Sequence, residues 1–498
     1  MIIILCNFLK KFLLVILVTG MLIFSTSCEM QEDIHESVIT VTANSIYLVT
    51  PTFTDQVIPS IQPSTTDSVI ISINEPQRTK YNLNVYYDHD LGILSVNEEV
   101  TYFNNTSSDL ETIPFIMTFK PSHEFNLSEI LFENESQIDG EIIRNAIWVR
   151  LKQPLRIGEF VSISFSYEIT VPDIDGVLGR TNRQINLADF YLMIPPFDGI
   201  NGWVIHEPGS VGEYLVYDVA DFEVEFSTNV PAEFQVFSNA PIAAKSDAYI
   251  VEAEKYRNFV LSMCVDCTKS QIDYGSFKVI GGFDFQDKNT GKETLNIIAR
   301  ALVFFSDKFG VDYPHTEMTI IEADFPDGME YDGLFFLSKD YFDQYDQSFM
   351  NYLSLLIVHE TAHQWWFGLI ASDQAIEPWL DETMATYSEY LFLEEFYPEL
   401  TSWWWEYRVD SYNPTRSVDS DIYKFDNARH YINAVYLRGA MFLHELRALL
   451  TDAVFFGRLR QYAEVNQGLI SDAETFKNIL IPEMNSDETN LLEKFFDQ

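Results

Sequence analysis

The chain has 498 residues, of which 47% are hydrophobic, 15% aromatic and 21% charged, so it carries enough apolar surface to build buried cores. That length exceeds one ordinary domain and predicts two or three units. With 31 basic against 75 acidic residues the net charge is −44, a field that repels phosphate backbones and anionic lipid head groups and argues against nucleic acid as a partner.

At the amino terminus Lys10 and Lys11 precede an apolar run from Phe12 to Phe24. As a helix this run reaches about 20 Å, short of the roughly 30 Å hydrocarbon core, and it predicts a cleaved export signal over residues 1–28 in preference to a permanent span. Its end, Ser25-Thr26-Ser27-Cys28, resembles a bacterial lipobox with Ser25 in place of the usual leucine-like residue. The resemblance implies that Cys28 becomes a lipid-modified first residue facing outward and that any membrane attachment runs through this anchor. An ordinary cleaved signal peptide is the alternative, and either route takes the protein out of the cytoplasm. Of four cysteines, Cys6 leaves with the signal and Cys28 with the lipid, so Cys264 and Cys267 remain. A zinc ribbon needs a second such pair; in an oxidising compartment a small local disulfide or two inert thiols are the choices.

Residues 29–79 are rich in Ser, Thr, Ile and Val with scattered prolines and read as a flexible tether, or alternatively as an extra edge strand. From 80 to 275 the apolar period is two, clearest in Val161, Ile163, Phe165, Tyr167, Ile169 and Val171, and turn clusters such as Asn104 to Asp109 separate the segments. This pattern predicts an antiparallel, sandwich-like β domain. From 276 to 498 the period becomes helical: Leu295, Ile298, Ala299, Leu302 and Phe305 share a face, and Gly310 is placed to end that helix. Strands over 318–323 and 334–337 precede a mostly helical remainder, an α+β arrangement.

Within that second unit lies His359-Glu360-Thr361-Ala362-His363, at the end of the apolar stretch Tyr352 to Val358. Residues four apart share one face of a helix, so the two imidazoles converge on one ion while Glu360 reaches the position where water binds. A third protein ligand is supplied by Glu382 in Trp379-Leu380-Asp381-Glu382-Thr383, with eighteen residues (364 to 381) between it and His363. Two imidazoles and one carboxylate with an open position form a common catalytic zinc set, one ion per chain. Glu360 is placed to take a water proton and pass it to a leaving amine. Trp365, Trp366, Trp379 and Trp403 to Trp405 surround the motif; aromatic residues at helical spacing fill cores, and none is given a role.

These residues resemble the M1 zinc aminopeptidases, gluzincins with a His-Glu-x-x-His helix and a glutamate after eighteen intervening residues. The resemblance runs from about Tyr81 to Gln498 and implies a β-rich amino-terminal domain followed by a thermolysin-like catalytic domain. Met329 and Glu330, in Asp327-Gly328-Met329-Glu330-Tyr331, match the family's Gly-x-Met-Glu-Asn strand, whose glutamate binds the free α-amine of a peptide substrate; Asp327 and Tyr331 replace its glycine and asparagine. Tyr436-Leu437-Arg438-Gly439 resembles Tyr-x-Lys-Gly, whose tyrosine donates to the tetrahedral oxyanion, with Tyr431 as the neighbouring rival. The sequence stops where many relatives continue, which implies a short, two-domain, lipoprotein-like bacterial member or a truncated sequence. The expected activity is release of amino-terminal residues from peptides with a free amino terminus. A zinc endopeptidase on the same scaffold and a non-catalytic peptide-binding protein are the alternatives.

Overall fold

The computed structural model describes residues 77–119, 124–132 and 136–496. The export signal, Cys28 and almost all of the tether fall outside the described residues.

Strict alternation in the first half buries one face of each strand. Leu83, Val85 and Tyr87 of strand Thr79–Asp88 are fully buried, with polar neighbours facing out. This strand lies at the centre of an eight-stranded sheet, paired in parallel with Ala220–Thr228 and antiparallel with Ile93–Phe103; the other pairs of this sheet are antiparallel. A four-stranded sheet containing Leu110–Met117 and Ala146–Leu155 packs across it, and the Phe115 and Phe165 rings meet edge to face at 4.6 Å. Another four-stranded sheet, built on Gln184–Leu187 and Leu261–Cys264, carries the core onward: Phe237 and Val260 pack in one cluster with Ile321 and Phe336 of the second domain.

One buried carboxyl in this half makes stability pH-dependent. Glu98 is 1% exposed; its Oε2 accepts from Tyr167 Oη at 2.6 Å and from the Leu192 N–H at 3.0 Å. Burial pushes its pKa up to about 8 against those two bonds. The folded state therefore holds a proton that the unfolded state releases above its ordinary carboxyl range, so stability falls as pH rises from about 5 through 8. Glu98→Gln mimics the protonated form and should remove this decline. The variant is expected to gain on wild type by up to a few kcal/mol between pH 5 and 9 in urea unfolding. Parallel stability curves for the two proteins would refute it.

The second domain opens with β1 (Cys267–Tyr274) and β2 (Phe277–Asp284). Although β1 lies in the stretch whose period of two reads as amino-terminal domain, it hydrogen-bonds to β2 in a five-stranded sheet with β3 (Glu317–Ala323), β4 (Gly328–Tyr331) and β5 (Leu334–Ser338), in the order β1-β2-β3-β5-β4. A disulfide joins Cys264, the last residue of its strand in the first domain, to Cys267 at the start of β1. Helix α1 (Lys288–Phe309) crosses over between the parallel strands β2 and β3. Its predicted face, Leu295 to Phe305, is buried, and Gly310 closes it in the left-handed conformation. The remainder is mostly helical, including α2 (Tyr352–Ala362), α3 (Trp379–Phe396) and α4 (Gly439–Leu450). Strand β4 is the sheet edge, and it faces the cleft beside α2.

Candidate active site

Helix α2 is fixed at its start by Asn351, whose side chain accepts from the Ser354 N–H at 2.9 Å, and along its length by buried Leu353, Leu355, Ile357 and Val358. This anchoring delivers His359 and His363 one turn apart on the face that meets α3. Glu382 sits in the first turn of α3, just after Pro378. The Nε2 atoms of His359 and His363 lie 3.2 and 3.5 Å from Glu382 Oε2, and the three donor groups lie within 4.8 Å of one another. A tetrahedral ion with bonds of about 2.1 Å sets its ligand atoms roughly 3.4 Å apart, so these spacings suit zinc.

The outward nitrogens are held by acidic partners. His359 Nδ1 pairs with Glu389 Oε1 at 3.0 Å and His363 Nδ1 with Asp381 Oδ1 at 2.5 Å, which directs both Nε2 atoms at the same point. Glu389 is itself clamped by Arg408 Nε and Nη2 at 3.1 and 2.9 Å and by Trp404 Nε1 at 2.9 Å; Gln374 Nε2 donates to Asp381 at 2.6 Å. Trp365, Trp366 and Trp379 are core residues, as the sequence pattern suggests, whereas Trp404 braces a ligand's partner.

Glu360 is 4% exposed, and its Oε2 finds no hydrogen-bond partner among the described residues. Burial pushes it up to about 7, against the pull of His359 and His363. Its other oxygen lies over Gly328: a Cβ there would collide with Glu360 Oε1, so any larger residue would push this carboxylate aside. Glu330, two residues along β4, is also buried with an unpartnered Oε1, and burial drives its pKa well up although His363 opposes it. A residue that the motifs do not reveal completes the ring. Glu213 comes from the connection before strand Ala220–Thr228, and one of its oxygens lies within 4.8 Å of carboxylate oxygens of Glu330 and Glu382. Burial pushes it up to about 8, reinforced by the charges of Glu382 and Asp381. Burial likewise opposes the Glu382 anion, but hydrogen bonds from His359 and His363 hold its pKa below the usual carboxylate range.

Both tyrosine candidates line the same cleft of about 530 Å³. The Tyr436 ring stacks on His359 at 5.8 Å and 3°, beside Glu382, whereas Tyr431 lies against Gly212. Tyr436 belongs to a π-helical stretch, Ile432–Arg438, a widened turn of a kind that recurs at functional sites. Gly439 follows because a Cβ there would strike Thr383, next to Glu382; the glycine lets α4 close on α3. Four carboxyl groups and two imidazoles thus meet in one part-enclosed cleft, and the upward push on Glu360, Glu213 and Glu330 shows that these groups can share full negative charge there only with a cation beside them.

Comparison with known proteins agrees with this geometry. Residues 293–498 match the model of the Peptidase family M1 domain. Aminopeptidase M1-A of Oryza sativa subsp. japonica is 23% identical over 77% of the chain, and Aminopeptidase 2 of Candida albicans is 25% identical over 73%. The chain spans less than half the length of these relatives, 46% and 42% respectively. The fold is shared with the M1 zinc metallopeptidase of Deinococcus radiodurans, whose crystal structure superposes with a TM-score of 0.59 at 18% identity, covering 84% of this chain and 94% of that one. The Deinococcus protein has also been crystallised with a Tyr-Ser-Ala substrate.

Proposed function

We propose that the protein is a zinc-dependent aminopeptidase that removes the first residue from peptides with a free amino terminus. The observation that carries this reading is the juxtaposition of the His359, His363 and Glu382 donor set with two further carboxylates, Glu330 and Glu213, on one side of it. A cluster of that sign beside the reaction centre receives a cation, and the ammonium of a peptide's first residue is the cation a peptidase meets. An edge strand can pair with an extended peptide while a carboxylate on it captures the terminal amine.

Zinc held by His359, His363 and Glu382 supplies Lewis acidity towards a carbonyl oxygen and makes water acidic near neutral pH. Glu360 Oε2 takes the proton of the attacking water and returns it to the departing amine. The Tyr436 hydroxyl donates to the oxygen on which negative charge develops. Glu330 and Glu213 fix the ammonium, which leaves room for one residue before the bond to be cut. The names of the rice and Candida relatives and the tripeptide substrate of the Deinococcus protein support the same chemistry. Export, with lipid attachment at Cys28, is part of the proposal; it is supported by residues 1–28 and by the Cys264–Cys267 disulfide, which suits an oxidising compartment. Among the described residues no helix is long and apolar enough to cross a membrane.

The test compares one peptide with a free and with an acetylated amino terminus. Acetylation removes the ammonium and leaves buried carboxylates without their partner, a cost of about 1–3 kcal/mol or more, so kcat/KM should fall tenfold or more. Glu330→Ala should abolish most of that discrimination while zinc content stays at one per chain. Equal cleavage of both peptides, at internal bonds, would replace this reading by the endopeptidase.

A further inference from the structure

Beside the metal cleft lies a second, mainly apolar pocket of about 260 Å³, on the scale of a single large side chain. Gly212, Glu213 and Glu330 line both spaces, so the pocket opens where the substrate's first residue would be held. Its walls include Leu215, Tyr217, Met329, Tyr331 and Phe367, flat or flexible surfaces that suit an aromatic ring.

Besides Glu213 and Glu330 at its mouth and Gln374, whose Nε2 is taken up by Asp381 at 2.6 Å, two polar side chains interrupt these walls, Asp189 and Asn258. Asp189 accepts from Tyr217 Oη at 2.8 Å and from Tyr331 Oη at 3.1 Å, one bond to each oxygen, so each oxygen retains capacity for a further donor. Burial pushes Asp189 up to about 6, which leaves it mainly an acceptor at neutral pH. Asn258 is 1% exposed; its Oδ1 accepts from the Asp332 N–H at 3.2 Å, while its Nδ2 has no acceptor among the described residues. An acceptor and an unsatisfied donor in one apolar pocket match a group that both donates and accepts. A phenol hydroxyl at the end of an aromatic ring is such a group. A lysine or arginine side chain would set more N–H donors against Asn258 Nδ2, and a phenylalanine would leave that donor unmet.

We propose that this pocket receives the side chain of the substrate's first residue and selects tyrosine, whose hydroxyl donates to Asp189 and accepts from Asn258. The proposal also gives Tyr331 a function. This residue, which stands where the family motif has asparagine, orients Asp189 from the residue next to the amine-binding Glu330.

The inference rests on the aminopeptidase reading, and the experiment separates the two. Peptides differing only in the first residue (Tyr, Phe, Leu, Lys) are assayed for kcat/KM with the zinc-loaded protein, and binding of tyrosine amide and phenylalanine amide is measured by calorimetry. Tyr should exceed Phe about tenfold or more, short of the 10⁴–10⁵ reached by fully dry hydroxyl-reading sites, because water can replace the missing hydroxyl. The same order should hold in binding. In Asp189→Asn and Asp189→Ala the Tyr-to-Phe ratio should fall to within about twofold. A ratio near one in wild type, with free peptides still cut and acetylated ones not, would overturn the pocket assignment and leave the aminopeptidase reading intact. Preference for Lys over Tyr would make Asp189 a cation receptor and overturn it as well. Tenfold selective binding of tyrosine amide without any cleavage would uphold the pocket and overturn the catalytic reading.

Discussion

Glu360→Gln is expected to leave a folded, zinc-loaded protein whose peptide hydrolysis is reduced by about 10²–10⁴-fold, the range supplied by a positioned general base. The substitution keeps the size of the side chain and removes only its capacity to carry a proton. Little of the fold depends on the charge, since Glu360 Oε2 has no hydrogen-bond partner among the described residues and the carboxyl is 4% exposed. A neutral amide there spares the cost of a buried charge, so the melting temperature should hold or rise. The metal should remain, because His359, His363 and Glu382 are untouched. Single-turnover cleavage, zinc content and thermal unfolding of the same preparation check all three expectations. Near-normal turnover in a folded, metal-loaded variant would remove Glu360 from the mechanism.

The parts of the site that share one element were legible in the sequence, and the parts assembled between elements were not. His359, Glu360 and His363 were readable because four residues make one turn, and Glu382 because it follows at a set distance on a second helix. Glu389 lies seven residues after Glu382, two turns along α3 and on the same face, but no motif in the sequence singles it out as the partner of His359. Arg408 and Trp404 reach Glu389 from a later helical segment, and no local pattern announces that contact. Glu213 is harder still. It lies in a stretch without regular period, in the half of the chain before the catalytic domain, and only the packing of the two domains brings it to Glu330. The place of β1 was missed for a related reason, since a period of two shows that a segment is a strand and does not say which sheet it joins.

Removal of a ligand and removal of a ligand's support should differ by a measurable step in zinc affinity. Glu382→Ala deletes one of three protein donors and, with it, the carboxylate that faces both Nε2 atoms at 3.2 and 3.5 Å. The two imidazoles that remain cannot define a three-ligand zinc site, so stoichiometric zinc should be lost, and hydrolysis with it. Glu389→Gln leaves all three donors in place. It removes the charge that His359 Nδ1 faces at 3.0 Å and leaves Arg408, bonded at 2.9 and 3.1 Å, without its anion in a buried setting. The imidazole then loses orientation and basicity, and partners of this kind typically contribute 10–100-fold to metal affinity. The expected order is therefore wild type, then Glu389→Gln weaker by 10–100-fold, then Glu382→Ala with no tight site. Competition with a graded series of chelators, read by elemental analysis and by melting temperature with and without added zinc, resolves the three levels. Full zinc retention in Glu382→Ala would exclude Glu382 as the third ligand, and wild-type affinity in Glu389→Gln would reduce the Glu389–Arg408–Trp404 cluster to a packing element.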